Sequence, residues 1–301
     1  MTPSLTIIAR FTAAAAAALT LLGAAGAAAA YTGDREAAKF MSFGGSCLRC
    51  ELSGRKLIGA TFTGANFESA TLVGADLRAA TLAGSNFSRS DFSRADLRNA
   101  QLGGSIFAGA SFVAARLDGV EGKGTLFNGA DLTSSRFSDA SLVAARFSGA
   151  IMVKAVFRDS EMAHARLNGV DATRADFSDA GLQGADLTGG NFHLASFRDA
   201  DLTGARLRKG EYDGADFADA ELHGTDLRGT DLSGARHLTQ EQIDDACTDR
   251  TTVLPRRLVS KGCSNLRVMV IKDLPKPPKP PVPQKTPAPP VTPRYIITSG
   301  H

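Results

Sequence analysis

"GANFESATLVGADLRAATLAG", Gly64 to Gly84, repeats with a period of five. Phe67, Leu72, Leu77 and Leu82 mark every fifth position, and Ala65, Ala70, Ala75 and Ala80 stand two places before them. Five residues turn an α-helix through about 500°, so such a row would spiral around the helix instead of facing one core. A straight strand alternates its side chains, so each step of five would flip the apolar residue to the other face. What remains is a chain that bends once per repeat and presents each fifth residue to a shared interior.

Outward from this stretch the phase never slips. Every fifth residue from Leu52 to Leu232 is Leu, Phe, Met or Tyr, apart from Gly122 and Ala172. The larger side chains set the circuit. Phe67, Phe87, Phe107, Phe127 and Phe147 are spaced by twenty, as are Phe137, Phe157, Phe177, Phe197 and Phe217. Four five-residue sides therefore close one coil, and the two sets form ladders on opposite sides of a square tube. In the first four coils Phe faces Leu57, Leu77, Leu97 and Leu117. In the last four, Leu167, Leu187, Leu207 and Leu227 face Phe. Constant layer volume is what close packing requires, and the coil with Phe137 and Phe147 is expected to be the only one holding two Phe.

"GADLR" at Gly74, "RADLRNA" at Arg94, "GADLTGG" at Gly184 and "GTDLRGTDLSGA" at Gly224 resemble the A-(D/N)-L-x-x motif of pentapeptide-repeat proteins. The resemblance covers about 185 residues. It implies an all-β fold, a right-handed quadrilateral β-helix spanning residues 47–236. About nine coils at ~4.8 Å each would make a rod roughly 43 Å long. Two departures, Gly122 in "VEGKGTLF" and Ala172 in "GVDATRA", predict a bulged or underfilled core, at Gly122 opposite Phe112.

The flanks read differently. Residues 1–30 carry Arg10, an Ala-rich apolar run and Ala28-x-Ala30, the pattern of a signal peptide cleaved after Ala30. Residues 31–46 form a polar leader. Residues 237–274 read as a cap over the open β edge. In "RHLTQEQIDDAC", Thr239 and Gln242 form a capping box and Leu238 with Ile243 a hydrophobic staple, so a helix starts at Gln240. "LTQEQIDDAC" also resembles the segment that follows the repeats in secreted family members. "LRVMVIKDL", from Leu266, reads as extended. Residues 275–301 hold ten Pro and predict an uncored polyproline II tail, a spacer or a ligand.

Chemistry-bearing residues do not assemble into a catalytic pattern. G-x-S-x-G, Walker A and G-x-G-x-x-G with their contexts are missing, and the five His form no spaced ligand pair, so neither enzyme, cofactor nor metal is expected. Cys47 and Cys50 lack a thioredoxin-like context and read as structural thiols or a local disulfide. Cys247 and Cys263 read as a disulfide tying the cap down in an oxidising compartment. The recurrent Asp reads as a partner of nearby backbone.

Charge separates along the chain: residues 51–235 sum to −5, the segment from Arg236 to +6, the first fifty to +2. One column holds Arg78, Arg98, Arg158 and Arg198. Another side gathers a candidate interaction patch of Arg146, Arg166, Arg206, Arg208, Lys209 and Arg228. Such patches meet anionic surfaces. The expectation is a non-catalytic scaffold in the periplasm or secreted, binding an unidentified protein or an anionic envelope surface, with no small-molecule substrate. The family resemblance supplies the rival, a DNA mimic that binds a topoisomerase if the chain is not exported. That class wants a strongly acidic surface, so nucleic-acid-like roles and nucleic-acid partners rank low.

Overall fold

The computed structural model describes residues 45–263. The expected signal peptide, all but the last residues of the leader, the segment from Leu266 expected to be extended and the Pro-rich tail lie outside the described residues. Parallel bridges join one residue of each five, the one before the apolar centre, to the residue twenty further on, from Ser46↔Asn66 to Asp216↔Arg236. Twenty residues per circuit, in four five-residue sides, make a quadrilateral β-helix. The four faces are named here in chain order by their bridging columns: Glu51 to Asp231, Lys56 to Asp216, Thr61 to Glu221 and Asn66 to Asp226.

Each corner is a turn. The amide two positions before the next apolar centre donates to the carbonyl of the preceding one, as from Ala75 to Leu72 at 3.0 Å. The third turn residue takes positive φ at every corner from Arg49 to Gly229, though not at the last, Gly234, while the second never does, which makes those corners type II. Gly fills many of these third positions at no steric cost, as at Gly74 with φ 63°. Ala79, Arg89, Lys154 and Leu194 adopt the same region without that freedom. The neighbouring ladders hold them there.

Inside, two residues of each five are buried, the apolar centre and the small residue two before it. Phe67, Phe87, Phe107, Phe127 and Phe147 stack along the fourth face, with centroids 5.1–5.6 Å apart. Phe137, Phe157, Phe177, Phe197 and Phe217 stack along the second at 4.9–5.3 Å. The ladders hand over where Phe137 meets Phe147 edge to face at 6.5 Å. Coils with two aromatic rings are not confined to that handover. Phe92 stacks on Phe112 at 4.8 Å and Phe192 on Tyr212 at 5.1 Å along the first face. Weighing only opposite sides overlooks this third column.

The two departures create no break. Gly122 stays in register, its amide donating to Ser141 at 2.7 Å. The Leu142 Cδ2 methyl leans in, 2.8 Å from where a Cβ on Gly122 would stand. The small position before these centres is enlarged as well: it is Val only at Val120 and Val170, two places before Gly122 and Ala172. The converse holds at the large end. A Cβ on Gly190 or Gly210 would come within 2.6 Å of the rings of Phe192 and Tyr212. Volume is thus balanced within single repeats, as a close-packed interior demands.

Where the small residue is Ser or Thr, its hydroxyl donates to a backbone carbonyl, of its own turn at Ser135 and Ser160 and otherwise of the coil before. Ser90 donates to the Phe67 carbonyl at 2.8 Å and Ser105 to Leu82 at 2.7 Å. Each of these Ser and Thr hydroxyls is thereby satisfied.

After Arg236 the chain leaves the repeat, and α1, Gln240–Asp245, stands where the next third-face side would be. Its capping box forms on both arms, with Thr239 accepting from the Gln242 amide and the Gln242 side chain accepting from the Thr239 amide. Ile243 is buried, and Leu238 packs on the same core. The Gln242 Nε2 donates to the Phe217 and Ala220 carbonyls at 2.9 and 2.8 Å, so α1 closes part of the last edge. The ladders do not end at Arg236. Asp226 bridges Cys247 and Asp231 bridges Val253, so the chain re-enters the fourth and first faces past the helix. Cys247 and Cys263 are joined by a disulfide with Cα atoms 4.5 Å apart, and Cys47 and Cys50 by another at 5.6 Å.

Candidate interaction face

The outer surface is built from the three residues of each repeat that point away from the core. The recurrent Asp is spent locally. The Asp91 Oδ1 accepts from the Ser93 amide at 2.8 Å, and Asp131, Asp171, Asp186 and Asp201 repeat the contact two residues ahead. These are turn-forming carboxylates.

The same local rule separates the arginines. In "DLR" repeats the Arg follows its Asp by two and folds back on it. Arg98 donates Nε and Nη2 to the Asp96 carboxylate at 2.8 and 2.6 Å, and Arg78 pairs with Asp76 in the same way. Partial burial alone would raise the Asp96 carboxyl, but the Arg98 hydrogen bonds outweigh it and hold the group below its usual range. Arg158 reaches Asp176 and Asp179, and Arg198 reaches Asp216 at 3.3 Å. The column of Arg78, Arg98, Arg158 and Arg198 is therefore neutralised.

The fourth face differs. At Arg146, Arg166 and Arg206 the Arg occupies the bridging position that Asp takes elsewhere, as in "ARF" and "ARL". Two residues on stand Ser148, Asn168 and Arg208, none of them acidic. Arg146, Arg166, Arg206 and Lys209 are exposed and have no carboxylate partner among the described residues. Arg208 and Arg228 share Asp226, at 3.7 and 2.7 Å. Burial would raise the Asp226 carboxyl, and Arg228 outweighs it. The six residues of the sequence-derived patch thus lie on one face, four unpaired and two tied to one acid. Motif order carries part of that distinction: Asp-x-Arg pairs within its own repeat, whereas an Arg in the bridging position pairs only where a neighbouring acid is supplied, as Asp118 is to Arg116 and Arg136 on the second face.

Counted from Glu51 to Ala235, the fourth face carries seven basic against three acidic residues. The first carries four against seven, the second seven against ten and the third one against four. A shallow open depression of about 560 Å³ lies on the basic side, lined by His164, Arg166, Asn168, Asp186, Thr188 and Arg206.

Other polar groups form small nodes. His237 Nδ1 lies 2.6 Å from Asp216, which Arg198 also contacts, and His193 lies 3.3 Å from Asp213. Beside the first node a groove of about 760 Å³ runs between α1 and the last coil, past His223 and Glu241. Among the described residues no three His, Cys, Asp or Glu side chains converge as metal ligands, and no helix is long and apolar enough to cross a membrane.

A family model for pentapeptide repeats matches eight copies across residues 46–234. The chain belongs to the pentapeptide repeat family. Its fold is the family's right-handed quadrilateral β-helix. Solved structures of similar proteins include HetL from the cyanobacterium Nostoc sp. strain PCC 7120, a pentapeptide repeat protein involved in heterocyst differentiation regulation. It is 29% identical, over 62% of this chain and 83% of HetL, with a TM-score of 0.34. QnrB1, a plasmid-mediated fluoroquinolone resistance protein, is 24% identical over 59% and 93%, with a TM-score of 0.34. Rfr23 from the cyanobacterium Cyanothece 51142 is 22% identical over 41% and 63%, with a TM-score of 0.23. Family membership rests on the repeats and not on these superpositions. No curated protein matches the sequence.

Proposed function

We infer that this pentapeptide repeat protein is an exported, non-catalytic scaffold of about nine coils that binds a partner in the cell envelope through its outer faces and Pro-rich tail. The observation that carries the reading is the division of labour among side chains. Inward residues are consumed by packing, most outward Asp residues by their own turns, and the second-face arginines by those Asp residues. What is left over for another molecule is the unpaired basic row on the fourth face. A DNA mimic acting on a topoisomerase needs an acidic exterior, and seven basic residues against three acidic on one face run the other way.

Export rests on the Ala-rich leader ending at Ala28-x-Ala30. The two disulfides fit an oxidising compartment. Mass spectrometry of the native protein should find a mature chain that begins at Tyr31 in the periplasmic or secreted fraction. An intact Met1 on cytosolic material would overturn export and return the topoisomerase reading to first place.

A further inference from the structure

We propose that the fourth face docks flat on a lipid bilayer whose surface carries anionic phosphodiester headgroups. This rests on the scaffold reading and names its partner.

Four observations point to a bilayer. Arg146, Arg166, Arg206 and Lys209 project from one straight parallel ladder and its turns, free of any carboxylate partner among the described residues. Coils are spaced by about 4.8 Å, so Arg166 and Arg206 stand roughly 10 Å apart along a flat surface. A row of that kind meets a plane better than it meets a convex double helix. Secondly, the cations are mostly Arg, whose planar fork matches phosphate oxygens.

Thirdly, the same ladder continues from Arg146 into Leu126 and Ile106, and Ile106 is an exposed large hydrophobic. Apolar side chains next to cations suit the headgroup boundary, where a purely polar polyanion would leave them unused. Fourthly, every aromatic ring of the described repeat faces inward. No stacking platform for unpaired bases is therefore presented. Asp186 and Asp226 are the acidic groups within the row. Asp186 is engaged with the Thr188 amide and hydroxyl, and Asp226 with Arg228. They reduce the positive field without cancelling it.

The test is co-sedimentation of the chain, as isolated from the cell, with vesicles of phosphatidylcholine alone or mixed with phosphatidylglycerol. Two variants are compared. One reverses the face: Arg146→Glu, Arg166→Glu, Arg206→Glu and Lys209→Glu. The other makes the same change in net charge on the first and third faces: Arg94→Glu, Lys123→Glu, Lys154→Glu and Arg174→Glu. All eight residues are exposed, and thermal melts by circular dichroism verify that both variants fold. The milder pair Arg166→Gln and Arg206→Gln stands in should the full reversal fail to fold, and it should weaken binding by a smaller factor.

The native chain should sediment with anionic vesicles and not with neutral ones, and release as salt rises from about 0.05 M to about 0.5 M. Reversal of the fourth face should weaken binding on the order of 100-fold, while the matched variant stays close to native. Equal weakening of both variants would overturn the proposal, since net charge alone would then explain binding. So would an absence of vesicle binding at low salt, or retention on immobilised duplex DNA without vesicle binding, which would make the partner a soluble polyanion. An exported, folded chain that ignores vesicles would sink this inference and leave the scaffold reading standing.

Discussion

Tyr212 is the one residue of the aromatic columns that brings a polar group into the interior. Its ring stacks on Phe192 and needs Gly210 beside it, yet its hydroxyl is fully buried and finds no hydrogen-bond partner in the described structure. Burial without a partner is costly. Tyr212→Phe should therefore hold or raise stability, by up to about 1–2 kcal/mol, read from the urea midpoint. Burial, and then the charge of Asp186, push the phenol well above its ordinary 10. A group whose pKa is raised on folding favours the fold fully below its unfolded pKa and loses that contribution as pH rises beyond it. The native chain should therefore weaken above about pH 10, and the Phe variant should weaken less over that range. The balance around Ala172 is testable in the same way. Val170→Ala should open a void and Ala172→Leu should overfill the layer, each costing about 1–3 kcal/mol. The double variant restores the regular repeat, so its loss should fall short of the sum by at least about 0.5 kcal/mol.

Among the elements, the corner turns and α1 do different work. The turns repeat one geometry, while α1 occurs once and ties down the last edge. Its hold is reinforced from both sides: Gln240 exchanges hydrogen bonds with Val259 at 3.0 Å, and Lys261 pairs with Asp244. The Cys247–Cys263 disulfide closes that loop across sixteen positions. Replacing both by Ser should cost about 3 kcal/mol in the chain-entropy account, against about 2 for the short Cys47–Cys50 loop. Denaturant midpoints of the two double variants decide the order, and a larger loss at Cys47 and Cys50 would refute it. The start of α1 was legible because a capping box is local chemistry. The re-entry at Cys247 and Val253 was not. Between Cys247 and Val253 the chain reads "CTDRTTV", without the A-D-L pattern, and only the finished edge supplies its register. The period of five and the closure at twenty were legible because Phe and Leu alternate by layer. The Val120 and Val170 compensation could be seen only once side-chain volumes shared one interior, and the contrast between the loose Arg146, Arg166 and Arg206 and the paired Arg116 and Arg136 only once the acids of neighbouring coils were in place.

Across the whole rod, every long-range contact of the repeat links a coil to its immediate neighbours. The bridges run at twenty residues and never at forty. Stability in such an array is close to a sum of coil terms and interface terms, so damage is expected to stay near its source. Phe177 offers the cleanest test. It stacks between Phe157 and Phe197 at 5.2 and 5.3 Å and touches Phe192 from the side at 6.2 Å. Phe177→Ala should cost about 3–5 kcal/mol, because rigid ladders above and below cannot close on the void. Amide hydrogen exchange then shows where the loss falls. Protection should drop most at Phe157, Phe177 and Phe197 and their bridged neighbours, and remain near native from Leu72 to Leu97. An even loss along the chain would mean that the rod opens as one cooperative unit, and the nearest-neighbour account would fail. That outcome would also change the meaning of the basic face, since a rod that melts as a whole could not keep Arg146 and Arg206 in fixed register while one end loosens.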